Sequence, residues 1–149
     1  MKKIILSAAV MLALFSATYA NVPDNITERA AVSFHRTFRK VSEVTTTVVN
    51  NHVRVTFHQD NETKYAYYDF QGNLIGVVQH ILTSSLPEDL QQDFMKHYSN
   101  YWVTELFQVS TEDGVYYYLQ LTNADETIVL TNEGSIGWHR FMTKKATNL

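Results

Sequence analysis

The chain has 149 residues, with 12 lysines and arginines against 15 aspartates and glutamates, and it contains no cysteine. This acidic balance argues against a nucleic-acid partner, because nucleic-acid-binding surfaces need clustered lysine and arginine. The absence of cysteine excludes disulfides, thiol catalysis and thiolate metal sites. A hydrophobic core must therefore hold the fold together, and a chain of this length can supply one.

The N-terminus has the pattern of a signal peptide. Two lysines precede an apolar run over 4–15, and Thr18 and Ala20 are small residues at the −3 and −1 positions of a cleavage site. The apolar run is too short for a stable membrane span, which needs about 20 apolar residues, so an uncleaved anchor is the weaker alternative. We predict a signal peptide over 1–20 and a mature single domain over 21–149, periplasmic or secreted, with a net charge of about −5.

A helix is the first predicted element of the mature chain. Asn25 or Thr27 can cap its start, because their side-chain oxygens accept hydrogen bonds from the first free amides. Alanine and phenylalanine then recur at three- and four-residue spacing, which predicts one buried stripe on this helix. The stripe consists of Ala30, Ala31, Phe34 and Phe38.

Four strands are predicted after this helix. They cover 44–49, 52–58, 64–70 and 74–82, with turns at Asn50-Asn51, Asp60-Asn61-Glu62 and Gln71-Gly72-Asn73. The first strand is rich in threonine and valine, whose branched side chains favour strands. In the second strand Val53, Val55 and Phe57 alternate with polar residues, which indicates a sheet with one buried and one wetter face.

The second half of the chain again begins with a helix. Ser85 is its predicted cap, Pro87 lies in its first turn, and its predicted buried stripe consists of Leu90, Phe94, Met95 and Tyr98. Four more strands are predicted over 102–109, 115–121, 127–130 and 136–141, with a hairpin turn at Asp113-Gly114 and a frayed tail from Thr143.

These two halves form an internal repeat. Phe34 and Phe38 recur as Phe94 and Tyr98 at an offset of 60, whereas Val53, Val55 and Phe57 recur as Val115, Tyr117 and Leu119 at an offset of 62. The glycine turn Gln71-Gly72-Asn73-Leu74 recurs as Glu133-Gly134-Ser135-Ile136 at the same offset of 62. We predict an α+β fold of two tandem α-β-β-β-β repeats, over about 27–82 and 85–142, each an antiparallel sheet with a helix on one face.

Strand alternation places several aromatic residues on the face of each predicted sheet that points away from its helix. If Tyr117 faces the helix, its two tyrosine neighbours face away. In the third strand either Tyr65 and Tyr67 or Ala66 and Tyr68 face away from the helix. We favour Tyr65 and Tyr67, because the other two align with the aliphatic Ile128 and Leu130. The predicted partner-binding residues are Tyr65, Tyr67, Tyr116, Tyr118, Arg54 and Trp138. Tyrosine and tryptophan are enriched at interfaces because they offer large contact area with few rotamers to freeze. The alternative is that these rings are covered, or form ordinary cross-strand pairs.

Catalytic and metal-binding patterns are missing from the sequence. It contains no Gly-x-Ser-x-Gly, no His-Glu-x-x-His and no glycine-rich phosphate loop. His52 and His58 share one face of a strand but lie roughly 20 Å apart, too far to bind one ion. We therefore predict that the protein is not an enzyme and has no cofactor and no metal site.

Several segments together resemble a known family. They are Ala31–Phe38, Tyr68-Asp69-Phe70-Gln71-Gly72-Asn73-Leu74, the Leu86-Pro87 helix start, Tyr116-Tyr117-Tyr118 and Asn132-Glu133-Gly134-Ser135-Ile136. They resemble the exported PepSY-like, or beta-lactamase-inhibitor-like, domains common in Bacteroidetes, over about Ala30 to Phe141. The resemblance implies the two-repeat architecture of the secreted beta-lactamase inhibitor, in which a concave sheet surface grips the enzyme. This chain lacks that inhibitor's cysteines and matches none of its enzyme-contacting loops, so inhibition of a beta-lactamase is not implied.

The function predicted from the sequence is that of an exported, non-catalytic binding module. Its partner would be a protein or peptide of the cell envelope, which it would inhibit or regulate through the aromatic sheet face. The alternative is a periplasmic carrier of a small ligand, because aromatic side chains also line small-molecule pockets. Open edge strands would in addition allow a homodimer.

Overall fold

The computed structural model describes residues 24–145, with side chains from Thr27 onward. The predicted signal peptide and the last residues of the predicted tail lie outside this range. The elements are α1 (Asp24–Thr37), β1 (Ser42–Val49), β2 (His52–Gln59), β3 (Glu62–Tyr68), β4 (Leu74–His80), a 3₁₀ turn (Thr83–Ser85), α2 (Glu88–His97), β5 (Trp102–Thr111), β6 (Gly114–Thr122), β7 (Glu126–Thr131) and β8 (His139–Lys145).

The eight strands form one antiparallel sheet in the order β1 to β8. The predicted α+β class is therefore confirmed, but the prediction of two separate sheets is wrong. Hydrogen bonding continues directly after β4, where the amide of Ile81 donates to the carbonyl of Leu106 at 3.1 Å. Two compact units are nevertheless distinguishable: residues 24–79 with Ser110–Gly114, and His80–Val109 with 115–145.

In the first unit, α1 supplies the aromatic centre of the core. Ala30 and Phe34 are fully buried, as the helical spacing predicts. The ring of Phe34 meets the ring of Phe57 edge-on at a centroid distance of 4.9 Å, and Phe38 lies 4.8 Å from Phe57. The strand residues of this core cluster are Val48, Val53, Val55, Phe57, Ala66 and Tyr68. The alternating residues of β2 thus pack against α1.

Turns with positive φ set the hairpins of the first unit. Asn50 has φ 53°, and Asp60 and Asn61 have φ 56° and 63°, which is backbone that asparagine and aspartate tolerate best among residues with a side chain. Gly72 has φ 87°, and a Cβ there would lie 3.0 Å from the carbonyl oxygen of Arg29. The β3–β4 turn therefore needs glycine both for its backbone and for its close approach to α1.

In the second unit, α2 packs on an aliphatic core. Leu86 and Leu90 are 4% exposed and join Leu106, Leu119, Leu121, Ile128, Leu130 and Trp138 in one cluster, with Phe94 and Tyr98 packed against it. Met95, predicted on the buried stripe, is 60% exposed and points away from the core. Ser85 does not cap α2: Pro87 occupies the cap position, and no side chain caps the helix there.

Several predicted boundaries differ at the C-terminal end. β8 begins at His139 instead of Ile136, whose side chain is 96% exposed in the preceding turn. Thr143 is not frayed, because it pairs with Ile128 in the regular ladder between β7 and β8. The pairing register therefore extends the last strand beyond the point where the sequence becomes polar.

The offset of 62 between the two sequence repeats does not hold for the strand pairing. Val55 pairs with Ala66 in the first unit, so the same offset on both strands would pair Tyr117 with Ile128. Ile128 pairs instead with Leu121. The helix-facing residues of β6 are consequently shifted along the strand, and Val115, predicted to face the helix, is 48% exposed.

Candidate binding face

The first unit has one sheet face that α1 does not cover. Val55 and Ala66 pair on the α1 side, so the alternate pairs Arg54↔Tyr67 and Thr56↔Tyr65 lie on the opposite side. We call this side the helix-free face. Its residues on β1 to β4 include Thr45, Thr47, Val49, His52, Arg54, Thr56, His58, Thr63, Tyr65, Tyr67, Gly76 and Val78.

Arg54 and Tyr65 lie on the helix-free face as a half-buried cation and a half-buried aromatic ring, respectively. The guanidinium carbon of Arg54 lies over the Tyr65 ring, 5.8 Å from its centroid, within the range of a cation–π contact. Within residues 24–145, no carboxylate forms an ion pair with Arg54. The sequence prediction brought these two residues together correctly on one face.

Tyr67 lies on the same face but is fully buried, so its predicted exposure is wrong. An inner strand alone does not explain this burial, because Tyr65 on the same strand is half-buried. The two tyrosines differ in their cross-strand neighbours, which are Arg54 and Gly76 for Tyr67 but Thr56 and Val78 for Tyr65. Burial raises the pKa of Tyr67 to about 12, and the neighbouring Arg54 guanidinium acts in the opposite direction. Its hydroxyl lies within the influence of the Arg54 side chain but forms no hydrogen bond of good geometry.

His52 also lies on this face, two positions before Arg54 on the same side of β2, and it is absent from the predicted partner-binding residues. Burial lowers the pKa of His52, and the Asp69 carboxylate opposes that effect. Nδ1 of His52 is buried and has no hydrogen-bond partner.

Asp69 is committed to the turn that follows β3. Its Oδ1 accepts hydrogen bonds from the backbone amides of Gln71 at 2.9 Å and Asn73 at 2.8 Å, and its Oδ2 accepts one from the Asn73 side chain at 2.8 Å. The carboxylate that acts electrostatically on His52 is therefore already hydrogen-bonded. It stabilises the turn of the sequence Tyr68-Asp69-Phe70-Gln71-Gly72.

In the second unit, Tyr116 is half-buried and Tyr118 is fully buried. The hydroxyl of Tyr118 donates to the carboxylate of Glu133 at 2.5 Å, and its ring meets Phe141 edge-on at 5.6 Å. The prediction that Tyr118 is exposed is therefore wrong. The side chain lies on inner strand β6, where a hydrogen-bonded acid and a neighbouring ring shield it.

Trp138 also departs from the prediction, because it belongs to the α2 core. Its side chain is 8% exposed, and the indole Nε1 donates to the carbonyl of Leu90 at 2.8 Å. Its backbone amide donates to Oδ2 of Asp93 at 2.9 Å. These bonds hold the turn before β8 against α2, so Trp138 supports the fold and presents no contact surface.

The chemistry of the described face consists of hydrogen-bond donors and aromatic rings. Between residues 24 and 145, no three histidine, aspartate or glutamate side chains are grouped so as to hold a metal ion. Of the helices that the structure describes, none is both long and apolar enough to cross a bilayer. Arg54 and Tyr65 offer charge, hydrogen bonding and aromatic area, which are properties of a binding surface.

The fold matches several solved structures. A BLIP-like protein of Bacteroides fragilis has a TM-score of 0.68 at 14% identity, covering 87% of this chain and 91% of that chain. A Bacteroides eggerthii protein described as periplasmic has a TM-score of 0.67 at 8% identity, covering 85% and 90% of the two chains. A DUF2874 family protein of Bacteroides ovatus has a TM-score of 0.68 at 14% identity, covering 85% and 89%.

Sequence comparisons add no further relationship. No family model matches this chain, and no curated protein matches it. The match to this chain extends over 89–91% of the length of these three structures, but their sequence identity to it is 14% or less. Such a likeness shows the fold: the chain has the architecture of the BLIP-like and DUF2874 proteins of Bacteroides.

Proposed function

We propose that this protein is a non-catalytic binding module of the cell envelope that holds a protein or peptide on its helix-free face. The observation that carries the proposal is the half-buried Arg54–Tyr65 pair, which lies opposite α1 and has no ion-pair partner within the described residues. Tyr116, half-buried in the second unit, remains a separate proposed contact. The buried residues Tyr118 and Trp138 support the fold in this proposal.

Fold and sequence both support the envelope location. One structural neighbour is described as periplasmic, and the first twenty residues have the pattern of a signal peptide. The order of one helix and four strands, present twice, supports an origin by duplication and the proposed PepSY-like relationship. The BLIP-like fold of another neighbour favours a protein as the partner over a nucleic acid.

The test is a capture experiment with the mature chain. Biotinylated residues 21–149 are incubated with a periplasmic extract, and retained proteins are identified for the wild type, Tyr65→Ser and Trp102→Ser. Trp102 is 70% exposed and provides a matched loss of an aromatic side chain outside the helix-free face. Equal melting temperatures of the three proteins establish that the fold is unchanged.

We expect a specific protein to be retained by the wild type and by Trp102→Ser but released by Tyr65→Ser. Equal retention by all three baits would contradict the assignment of the surface. If nothing is retained and a small molecule raises the melting temperature of wild type and Tyr65→Ser alike, the carrier hypothesis replaces the binding module.

A further inference from the structure

Three buried polar atoms without hydrogen-bond partners lie close together on the helix-free face. They are Nδ1 of His52, Nε of Arg54 and the hydroxyl oxygen of Tyr67. His52 and Arg54 are alternate residues of β2, so their side chains lie on the same side about 7 Å apart along the strand. Tyr67 pairs directly with Arg54 across the ladder to β3. The three atoms therefore form one patch, which we call the orphan cluster.

An orphan cluster of this kind is unusual in a folded chain. Most buried polar groups in native structures have a partner, because leaving one unsatisfied forfeits the hydrogen bonds it made to water. Tyr67 shows the extreme case, since its ring is fully buried while its hydroxyl is unpaired. A cluster of such groups on one face points to a ligand that supplies the missing partner.

The chain itself does not supply that partner within the described residues. Asp69, which acts on His52, already accepts three hydrogen bonds from its own turn. Glu43 on β1 lies 3.4 Å from His58, at the other end of β2. The chain has 15 acidic against 12 basic side chains, so an arginine left without an acidic partner is notable.

We propose that the orphan cluster binds a carboxylate, supplied by an aspartate or glutamate side chain of the polypeptide held on the helix-free face. The proposal rests on the proposed function and names the chemistry of its partner. Arginine has only donors, tyrosine can donate its hydroxyl hydrogen, and His52 donates when Nδ1 carries the proton, whereas an ionised carboxylate only accepts. The chemistry of the cluster is thus complementary to a carboxylate.

The Arg54–Tyr65 contact adds specificity. The guanidinium carbon lies over the Tyr65 ring, and this contact restricts the side chain, so less side-chain entropy is lost when Arg54 binds an acid. One cation also matches one negative charge, which favours a carboxylate over a doubly charged phosphate. A lysine at position 54 would keep the charge but lose the planar fork and the Nε donor.

Paired peptides provide the test. An array carries random ten-residue peptides, each synthesised twice, with glutamate or with glutamine at the central position. Mature wild type is applied to it beside the variants Arg54→Gln, Arg54→Lys, Tyr65→Ser, Tyr67→Phe and Arg39→Gln. Arg39 is an exposed arginine after α1, so Arg39→Gln changes the net charge equally without touching the orphan cluster. In a second arm, acetate is titrated into the wild type and the Arg54 Nε–H signal is followed by NMR.

We expect glutamate peptides to be retained about tenfold or more over their glutamine twins by the wild type and by Arg39→Gln, which corresponds to one charge-assisted hydrogen bond. Arg54→Gln should retain glutamate and glutamine peptides equally. Tyr67→Phe should keep the fold but show a smaller preference for the glutamate peptides. Arg54→Lys should restore only part of that preference. Acetate should shift the Arg54 signal only at far higher concentration than the peptides.

Equal retention of glutamate and glutamine peptides, still lost in Tyr65→Ser, would overturn the carboxylate site but leave the binding module standing. Absence of retained peptides would contradict both proposals. Acetate binding as tight as that of the peptides would identify a site for a free small carboxylate and overturn a polypeptide source. A ratio unchanged by Arg54→Gln would place recognition elsewhere.

Discussion

The two compact units both bury large aromatic side chains, but they differ in whether the polar atoms of those side chains are hydrogen-bonded. In the second unit, the hydroxyl of Tyr118 donates to Glu133 and the indole of Trp138 donates to the carbonyl of Leu90. In the first unit, the hydroxyls of Tyr67 and Tyr68 are buried without any partner. Both units therefore bury aromatic rings, but only the second unit gives the polar atoms of these rings hydrogen-bond partners.

Tyr68 belongs to the α1 core, so among these unpaired hydroxyls only that of Tyr67, on the helix-free face, is assigned to binding. A buried donor that is satisfied contributes to stability and resists substitution, whereas an unsatisfied one costs free energy until a partner arrives. The helix-free face of the first unit carries such unsatisfied groups, and we assign it the binding role. The second unit is expected to depend more strongly on its aromatic hydrogen bonds.

The largest expected effect is the loss of Trp138. Replacing it by alanine should lower the free energy of unfolding by about 3–5 kcal/mol, because it removes a buried ring from the α2 core. The indole hydrogen bond to Leu90 is lost with it. Urea denaturation followed by far-UV circular dichroism measures the change.

Trp102→Ala is the control for this experiment, since that side chain is 70% exposed. It should change the free energy of unfolding by less than about 0.5 kcal/mol. Equal costs at the two positions would show that Trp138 does not anchor the second unit. A partner lost in Trp138→Phe with unchanged stability would return this residue to the binding surface.

Alkaline titration should give the next largest effect, and it concerns the first unit. Burial raises the pKa of Tyr67 and of Tyr68 from the ordinary value of 10.0 to about 12. Below pH 10 both states keep these tyrosines neutral. Between pH 10 and 12 the unfolded chain loses their protons first, so the free energy of unfolding falls as pH rises, by about 2–3 kcal/mol for Tyr67.

Denaturation curves collected from pH 9 to 12 measure that fall, and tyrosinate absorbance reports the ionisation itself. Tyr67→Phe serves as the comparison, because it removes the Tyr67 contribution and should flatten the dependence above pH 10. The same slope in wild type and variant would show that Tyr67 ionises as readily in the folded protein as in the unfolded chain.

The smallest expected effects come from removing single hydroxyls, and they compare the two units directly. Tyr118→Phe should cost about 1–2 kcal/mol, because the half-buried Glu133 carboxylate loses a donor. Tyr68→Phe removes a hydroxyl that has no partner and should be neutral or slightly stabilising. Thermal unfolding of both variants is sufficient, and equal costs would remove the distinction between the units.

The local structure follows closely from the sequence. Helical spacing placed Ala30 and Phe34 in the core, and alternation placed Val53, Val55 and Phe57 there. These patterns work because the side-chain periods of helices and strands are fixed by backbone geometry. The hairpin turns were equally readable, since positive φ falls on Asn50, Asp60 and Asn61.

The candidate site was only partly readable. Tyr65 and Tyr67 have the same position in the alternation, yet Tyr65 is half-buried and Tyr67 is fully buried. Exposure depends on which strands and side chains flank a residue, and alternation carries no information about them. Trp138 was placed on a strand by its neighbours in sequence, but its contact with Leu90 lies 48 residues away.

By itself, the sequence determined the α+β class, the approximate order of helices and strands, and the residues of α1 and β2 that pack on each other, because those depend on local periodicity. The tertiary structure alone decided that the strands join in one sheet and which tyrosines are buried. It also decided which buried donors find an acceptor. Those outcomes depend on strand register and on contacts between distant residues, which local periods do not encode.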